Sequence, residues 1–180
     1  MSPQLSLKLG PTARNAQLPC EIVDPSPASA HFLHAGQVFI SAEGQPISII
    51  LGSCVAVCVW DSVKAIGGAT HFLLPNWDGR GVSSPRYGDV AVSILLHKLL
   101  EAGADRGHLR AKVFGGGCLF ESLRPPSADS EPHLGSRNVE IALSMMAKAR
   151  IPVVSKIVGV NRGQRIRFRP DTGDAVIRIL

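Results

Sequence analysis

Two cysteines four residues apart, Cys54 and Cys58, share the run LGSCVAVCVW at 51–60. A cysteine acts as a nucleophile only through a thiolate that is accessible and stabilised. Cys58 lies between Val57 and Val59 in a smooth apolar run, where a thiol behaves as a small core hydrophobe. Cys54 follows Gly52-Ser53, which can kink a strand and leave successive backbone N–H groups unpaired. Unpaired N–H groups at Gly52 and Ser53, beside a thiol, are the material of an oxyanion hole. A nucleophilic thiol also needs a base. His71 lies in ATHFLLP, a run that follows the Gly67-Gly68 turn. If 54–61 and 69–74 pair antiparallel, His71 comes near Cys54 across the pair. Taken alone, each residue also has a packing explanation, as a core thiol and as a satisfied sheet histidine; the pairing is what joins them.

The imidazole needs a third group to hold its tautomer. Ser48 and Thr70 are the candidates, since no Asp or Asn stands at an obvious place. His31 and His34 belong to the N-terminal stretch, His97 to a helix surface, and His108 and His133 to loops. Cys54 and Cys58 lack the C-x-x-C redox spacing, and Cys118 with a distant His makes a poor second pair, so the spacing speaks against a metal site. The glycines 115–117 lack the Lys-Ser/Thr of a phosphate loop, so no nucleotide cofactor is expected. Arg165, Arg167 and Arg169 alternate with Ile166 and Phe168, which puts the three on one face.

The elements that must carry these residues are legible in outline. The 180-residue chain is long enough for one substantial core. The first 34 residues, with Pro3, Pro11, Pro19, Pro25 and Pro27, read as a flexible extension whose last residues lie on the domain, and 35–180 as that domain. Within it, QVFIS at 37–41, a long apolar stretch at 47–61 broken at Gly52-Ser53, and ATHFLLP read as strands. Val92, Leu95, Leu96 and Leu99 recur at helical spacing, with Gly103 placed to end the helix. AKVFGGG is a buried strand running into a glycine loop, and a Ser/Pro-rich loop spans about 122–134. Ser136 reads as the N-cap of a second helix whose apolar face holds Val139, Ala142, Leu143 and Met146. IPVVSKIVGV, QRIRFRP and AVIRIL complete a pattern of two helices among seven or so strands. That pattern is an α/β layered single domain with a mixed, largely antiparallel sheet. A net charge of +5 points to acidic partners, but no nucleic-acid signature accompanies it. No apolar run approaches the ~20 residues of a membrane helix, and no secretory h-region opens the chain, so a cytoplasmic address without membrane insertion is expected.

The ordered set GQVFIS, ISIILGSCVAVCVWD, IGGATHFLLP, RYGDVAVSILL, AKVFGGG, GSRNVE, IPVV and NRGQRIRF resembles the CheD family of chemoreceptor glutamine deamidases, from about residue 35 to the C-terminus. The resemblance implies a CheD-like α/β sandwich and a Cys-His hydrolase that converts receptor glutamines to glutamates. It implies Cys54 as nucleophile, His71 as base and, six positions before the cysteine, Ser48 where the family carries threonine. Chemoreceptor cytoplasmic domains are the implied substrate, and a CheC-type phosphatase an implied partner. A regulatory binding module with weak catalysis, pairing with such a phosphatase, is the alternative that the serine leaves open.

Overall fold

The computed structural model describes residues 6–9, 30–118 and 132–180. Ten strands and two long helices are built from them: β1 (Ser6–Leu9), β2 (His31–Phe32), β3 (Gln37–Ser41), β4 (Ile47–Leu51), β5 (Val55–Asp61), β6 (Gly67–Phe72), α1 (Gly88–Glu101), β7 (Leu109–Gly115), α2 (Leu134–Lys148), β8 (Val153–Val158), β9 (Gln164–Phe168) and β10 (Ala175–Ile179). The strands form two five-stranded sheets, in the orders β3-β6-β5-β7-β8 and β1-β10-β9-β4-β2. Each sheet is mixed, with one parallel pair, β7 with β8 and β2 with β4. The expected single sheet is therefore two. The chain crosses between them at Gly52–Cys54, where the apolar stretch breaks: β4 belongs to one sheet and β5 to the other.

Alternation along β5 defines the layers. Val55, Val57 and Val59 face α1 and α2, packing with Phe72, Leu95, Leu99, Ala142 and Met146. Ala56, Cys58 and Trp60 face the second sheet, packing with Ile47, Ile49, Leu51, Ile166, Phe168 and Ile177. All seven residues of β5 are buried, as a strand covered on both faces requires. Each large apolar side chain so buried contributes roughly 1.5–3 kcal/mol. Among the described residues no helix covers the outer face of the second sheet, and Arg165 and Arg167 lie there beside Ile50 and Ser48.

The observed helices refine the expected ends. Asp89 lies in the first turn of α1, and Gly103 follows its end at φ 93°. α2 begins two residues before the expected cap, and its N-cap is His133, whose Nδ1 accepts from the Ser136 amide at 3.3 Å. Ser136 is thus inside the first turn. The expected domain edge at residue 34 falls within packed structure: β1 pairs with β10, β2 pairs with β4, and Leu33 is fully buried. The rest of the expected extension (1–5 and 10–29, including Cys20) and most of the expected Ser/Pro-rich loop lie outside the described residues.

Candidate active site

β5 and β6 pair antiparallel, with Val55 opposite Phe72 and Ala56 opposite His71. Residues opposite one another share a face, as do residues two apart on one strand. Cys54, just before β5, therefore lies on the face of Ala56 and diagonally across from His71. Both face the layer between the sheets, where Cys54 packs with Ala56 and Cys58. The antiparallel juxtaposition expected from the sequence is present. Cys54 itself is half-buried, while Cys58 has no exposure.

The cysteine segment is held by its carbonyls. Gly116 N–H donates to Cys54 O at 2.8 Å, Gly117 N–H to Gly52 O at 2.9 Å, and Asn138 Nδ2 to Ser53 O at 3.2 Å. Among the described residues, no backbone carbonyl accepts from the amides of Gly52, Ser53 or Cys54. A row of amides beside a thiol is the geometry expected of an oxyanion-binding site. The glycine loop makes this approach possible: a Cβ on Gly115, whose φ is 97°, would lie 2.2 Å from Cys54 O.

His71 is 6% exposed, and its Nδ1 lies 3.2 Å from Leu33 O. A carbonyl only accepts, so Nδ1 carries the proton and Nε2 keeps a free lone pair. That is the tautomer a general base requires. Burial, helped by the neighbouring His34 charge, holds the imidazole below its ordinary pKa, against the opposing Leu33 carbonyl. Burial pushes the Cys54 thiol up, against its own backbone N–H. At neutral pH the two groups rest as thiol and imidazole.

The third group differs from expectation. Ser48 sits between Ile47 and Ile49, whose side chains fill the inter-sheet core, so alternation turns its hydroxyl to the outer face. Its backbone carbonyl instead accepts from Leu33 N–H at 2.9 Å. Ser48 thus holds Leu33, and Leu33 O holds the imidazole. Thr70 is also turned away, since neighbours in a strand face opposite sides; its buried Oγ1 has no partner among the described residues. Three of the remaining histidines are engaged elsewhere: His31 stacks on Phe39, His97 pairs with exposed Glu101, and His108 approaches Asp61. Sequence reasoning missed Leu33, which acts through a backbone atom with no residue signature. It also missed Asn138, and here a signal existed. Asn138 stands four residues before Ala142 and eight before Met146, a polar residue on the buried stripe of α2.

Sequence comparison places these features among known proteins. A family model described as CheD chemotactic sensory transduction matches residues 73–179. A probable chemoreceptor glutamine deamidase CheD of Trichlorobacter lovleyi is 41% identical over 150 residues, 83% of this chain and 90% of that protein. A probable chemoreceptor glutamine deamidase CheD 1 of Anaeromyxobacter dehalogenans is 44% identical over 149 residues, 83% of this chain and 84% of that one. An alignment covering 83% of 180 residues necessarily includes 48–71, the span that the family match leaves out. Among solved structures, the Bacillus licheniformis hypothetical protein YfiH superposes with a TM-score of 0.47 at 15% identity, over 79% of this chain and 60% of that one.

Proposed function

This chain belongs to the CheD family, and from that membership we propose that it deamidates glutamine side chains of chemoreceptor cytoplasmic domains, with Cys54 as nucleophile and His71 as base. The observation that carries the catalytic reading is the His71 tautomer: Nδ1–H is committed to Leu33 O, which leaves Nε2 to act on the face shared with Cys54.

In this reading Nε2 takes the thiol proton as Sγ attacks the substrate carboxamide carbon. The carbonyl oxygen becomes an oxyanion and is met by the amides at Gly52, Ser53 and Cys54. His71 returns the proton to the departing nitrogen, the C–N bond breaks and ammonia leaves. Water, deprotonated by His71, then attacks the thioester; the C–S bond breaks, and the thiolate recovers its proton from the imidazolium. Glutamate is the product, and no cofactor enters the balance. Ser48 acts in this scheme through its carbonyl on Leu33, which is indifferent to serine standing where the family carries threonine. The reaction takes place in the cytoplasm, where the receptor domains lie; no described helix is long and apolar enough to cross a membrane. A CheC-type phosphatase is the partner the family suggests.

The test is mass spectrometry of a receptor cytoplasmic fragment incubated with the protein or with Cys54→Ser. The expected result is a gain of about 1 Da per converted glutamine, with the unmodified protein only. A folded protein that leaves every such fragment unchanged would overturn the reading.

A further inference from the structure

β5 and β6 stop pairing just where the chemistry begins. Their last rung at this end is Val55 opposite Phe72, and the residues beyond it, Cys54 and Leu73, have no ladder to hold them together. Leu73 N–H has already turned away, donating to Arg86 O. One side chain spans the gap. Asn138, in the second turn of α2 and 0% exposed, donates through Nδ2 to Ser53 O at 3.2 Å and to Leu73 O at 2.8 Å. Two carbonyl acceptors fix which end of the amide faces them. Its two anchors are the residue before Cys54 and the residue two after His71.

The helix that carries Asn138 is itself seated against the cysteine segment's other support. A Cβ on Gly135 would lie 2.5 Å from Gly116 O, and a Cβ on Gly116 would lie 2.3 Å from Val139 Cγ2, so α2 and the glycine loop touch backbone to backbone. Asn138 therefore reaches Ser53 and Leu73 from a fixed base. Its Oδ1 is buried and has no partner among the described residues, a cost that an apolar residue at this place would not carry.

We propose that Asn138 is a positioning residue that sets the spacing of Cys54 and His71 by replacing the missing rung between their strands. The proposal rests on the reading of those two residues as nucleophile and base. Asn138 touches neither of them and needs no contact with substrate; it acts through the backbone at Ser53 and Leu73. Its removal lets the two strand ends part, and displacement of about 1 Å at a reacting pair costs on the order of 10²-fold in rate.

The experiment uses the full chain with three variants, Asn138→Leu, Asn138→Asp and His71→Gln, each checked for folding by circular dichroism. Two quantities are read: deamidation kcat and KM on a receptor fragment, and the rate of Cys54 alkylation by iodoacetamide against pH. Asn138→Leu is expected to lower kcat about 10- to 100-fold with KM unchanged, and to remove the His71-dependent alkylation at neutral pH. Asn138→Asp is expected to show the same loss at pH 8 and to recover towards the unmodified protein as pH falls, because a protonated carboxyl donates one bond back to a carbonyl. Recovery in the Asp variant supports the proposal even if the Leu variant does not fold. A folded Asn138→Leu with kcat within about twofold of the unmodified protein overturns it, as does an Asp variant whose loss is independent of pH. Alkylation that responds to His71→Gln and not to the Asn138 variants overturns this proposal alone. Alkylation indifferent to His71→Gln overturns the underlying reading as well.

Discussion

Cys54 and Cys58 share one face of one strand region and one chemical group, yet their surroundings differ in every respect that governs reactivity. Cys58 is laddered on both sides, to Ala69 and to Lys112, and is wholly enclosed. Burial pushes its thiol far up, with only the Lys112 charge opposing. Lys112 in turn is buried over the Trp60 ring at 5.4 Å and is pushed down to about 8 by burial, against the charges of Asp174 and Cys58. Cys54 stands one residue before the ladder begins, half-buried, beside amides from which no backbone carbonyl accepts among the described residues, and across from the His71 imidazole. The contrast teaches that a strand's end, rather than its composition, makes a thiol available. Complete pairing consumes the amides, and complete burial suppresses the thiolate.

Thiol labelling should break the two apart most widely. Iodoacetamide at neutral pH is expected to modify Cys54 in the folded protein. Cys58 should react only through unfolding, slower by about 10⁴-fold or more for a domain of ordinary stability. Comparable rates, read by peptide mass spectrometry, would erase the distinction. Removing the imidazole tests the next largest effect. His71→Gln should lower deamidation by roughly 10²–10⁴-fold, while Cys58→Ala should leave the rate within about threefold and lower stability by about 1 kcal/mol through lost packing.

The Lys112 side of the comparison has its own pH signature. Below pH 8 both folded and unfolded states hold the lysine proton, and the folded state bears the cost of a buried charge. Between about 8 and the ordinary value of 10.5 only the unfolded state keeps the proton, so this group makes stability rise with pH through that window. Lys112→Met should lack the rise, which is on the order of 2 kcal/mol, in denaturant titrations run from pH 7 to 10.5. The smallest expected effect belongs to the site. Because burial lowers the His71 pKa, the acid limb of kcat/KM should have its midpoint below 6.5. His34→Gln should move that midpoint upward, since the His34 charge contributes to the lowering.

Much of the Cys54 and His71 juxtaposition was legible beforehand. Val55, Val57 and Val59 announced a strand, and antiparallel return of ATHF followed from the short connection, although the turn falls at 62–64 and Gly67-Gly68, expected to make it, are the first residues of β6. Period-two alternation then put Cys54 and His71 on a common face once the register was known. The same alternation should have cautioned against Ser48, but only with the knowledge that β4 buries Ile47, Ile49 and Leu51 against a different sheet. The sheet count itself was hidden, because an apolar run broken by Gly52-Ser53 reads alike whether the chain bends within one sheet or crosses to another.

By itself, then, the order of residue types determined much of the elements, their apolar faces and the juxtaposition of Cys54 with His71, since these depend on neighbours in sequence and on the period of each element. Tertiary structure alone decided that Leu33, from before the expected domain edge, presents its carbonyl to His71 Nδ1, that Ser48 O accepts from Leu33 N–H, and that Asn138 bridges Ser53 and Leu73 across separations of 85 and 65 residues. Backbone carbonyls are identical at every position, so no residue type marks which of them will accept a hydrogen bond. That choice is made only when distant segments pack and each buried donor must find a partner.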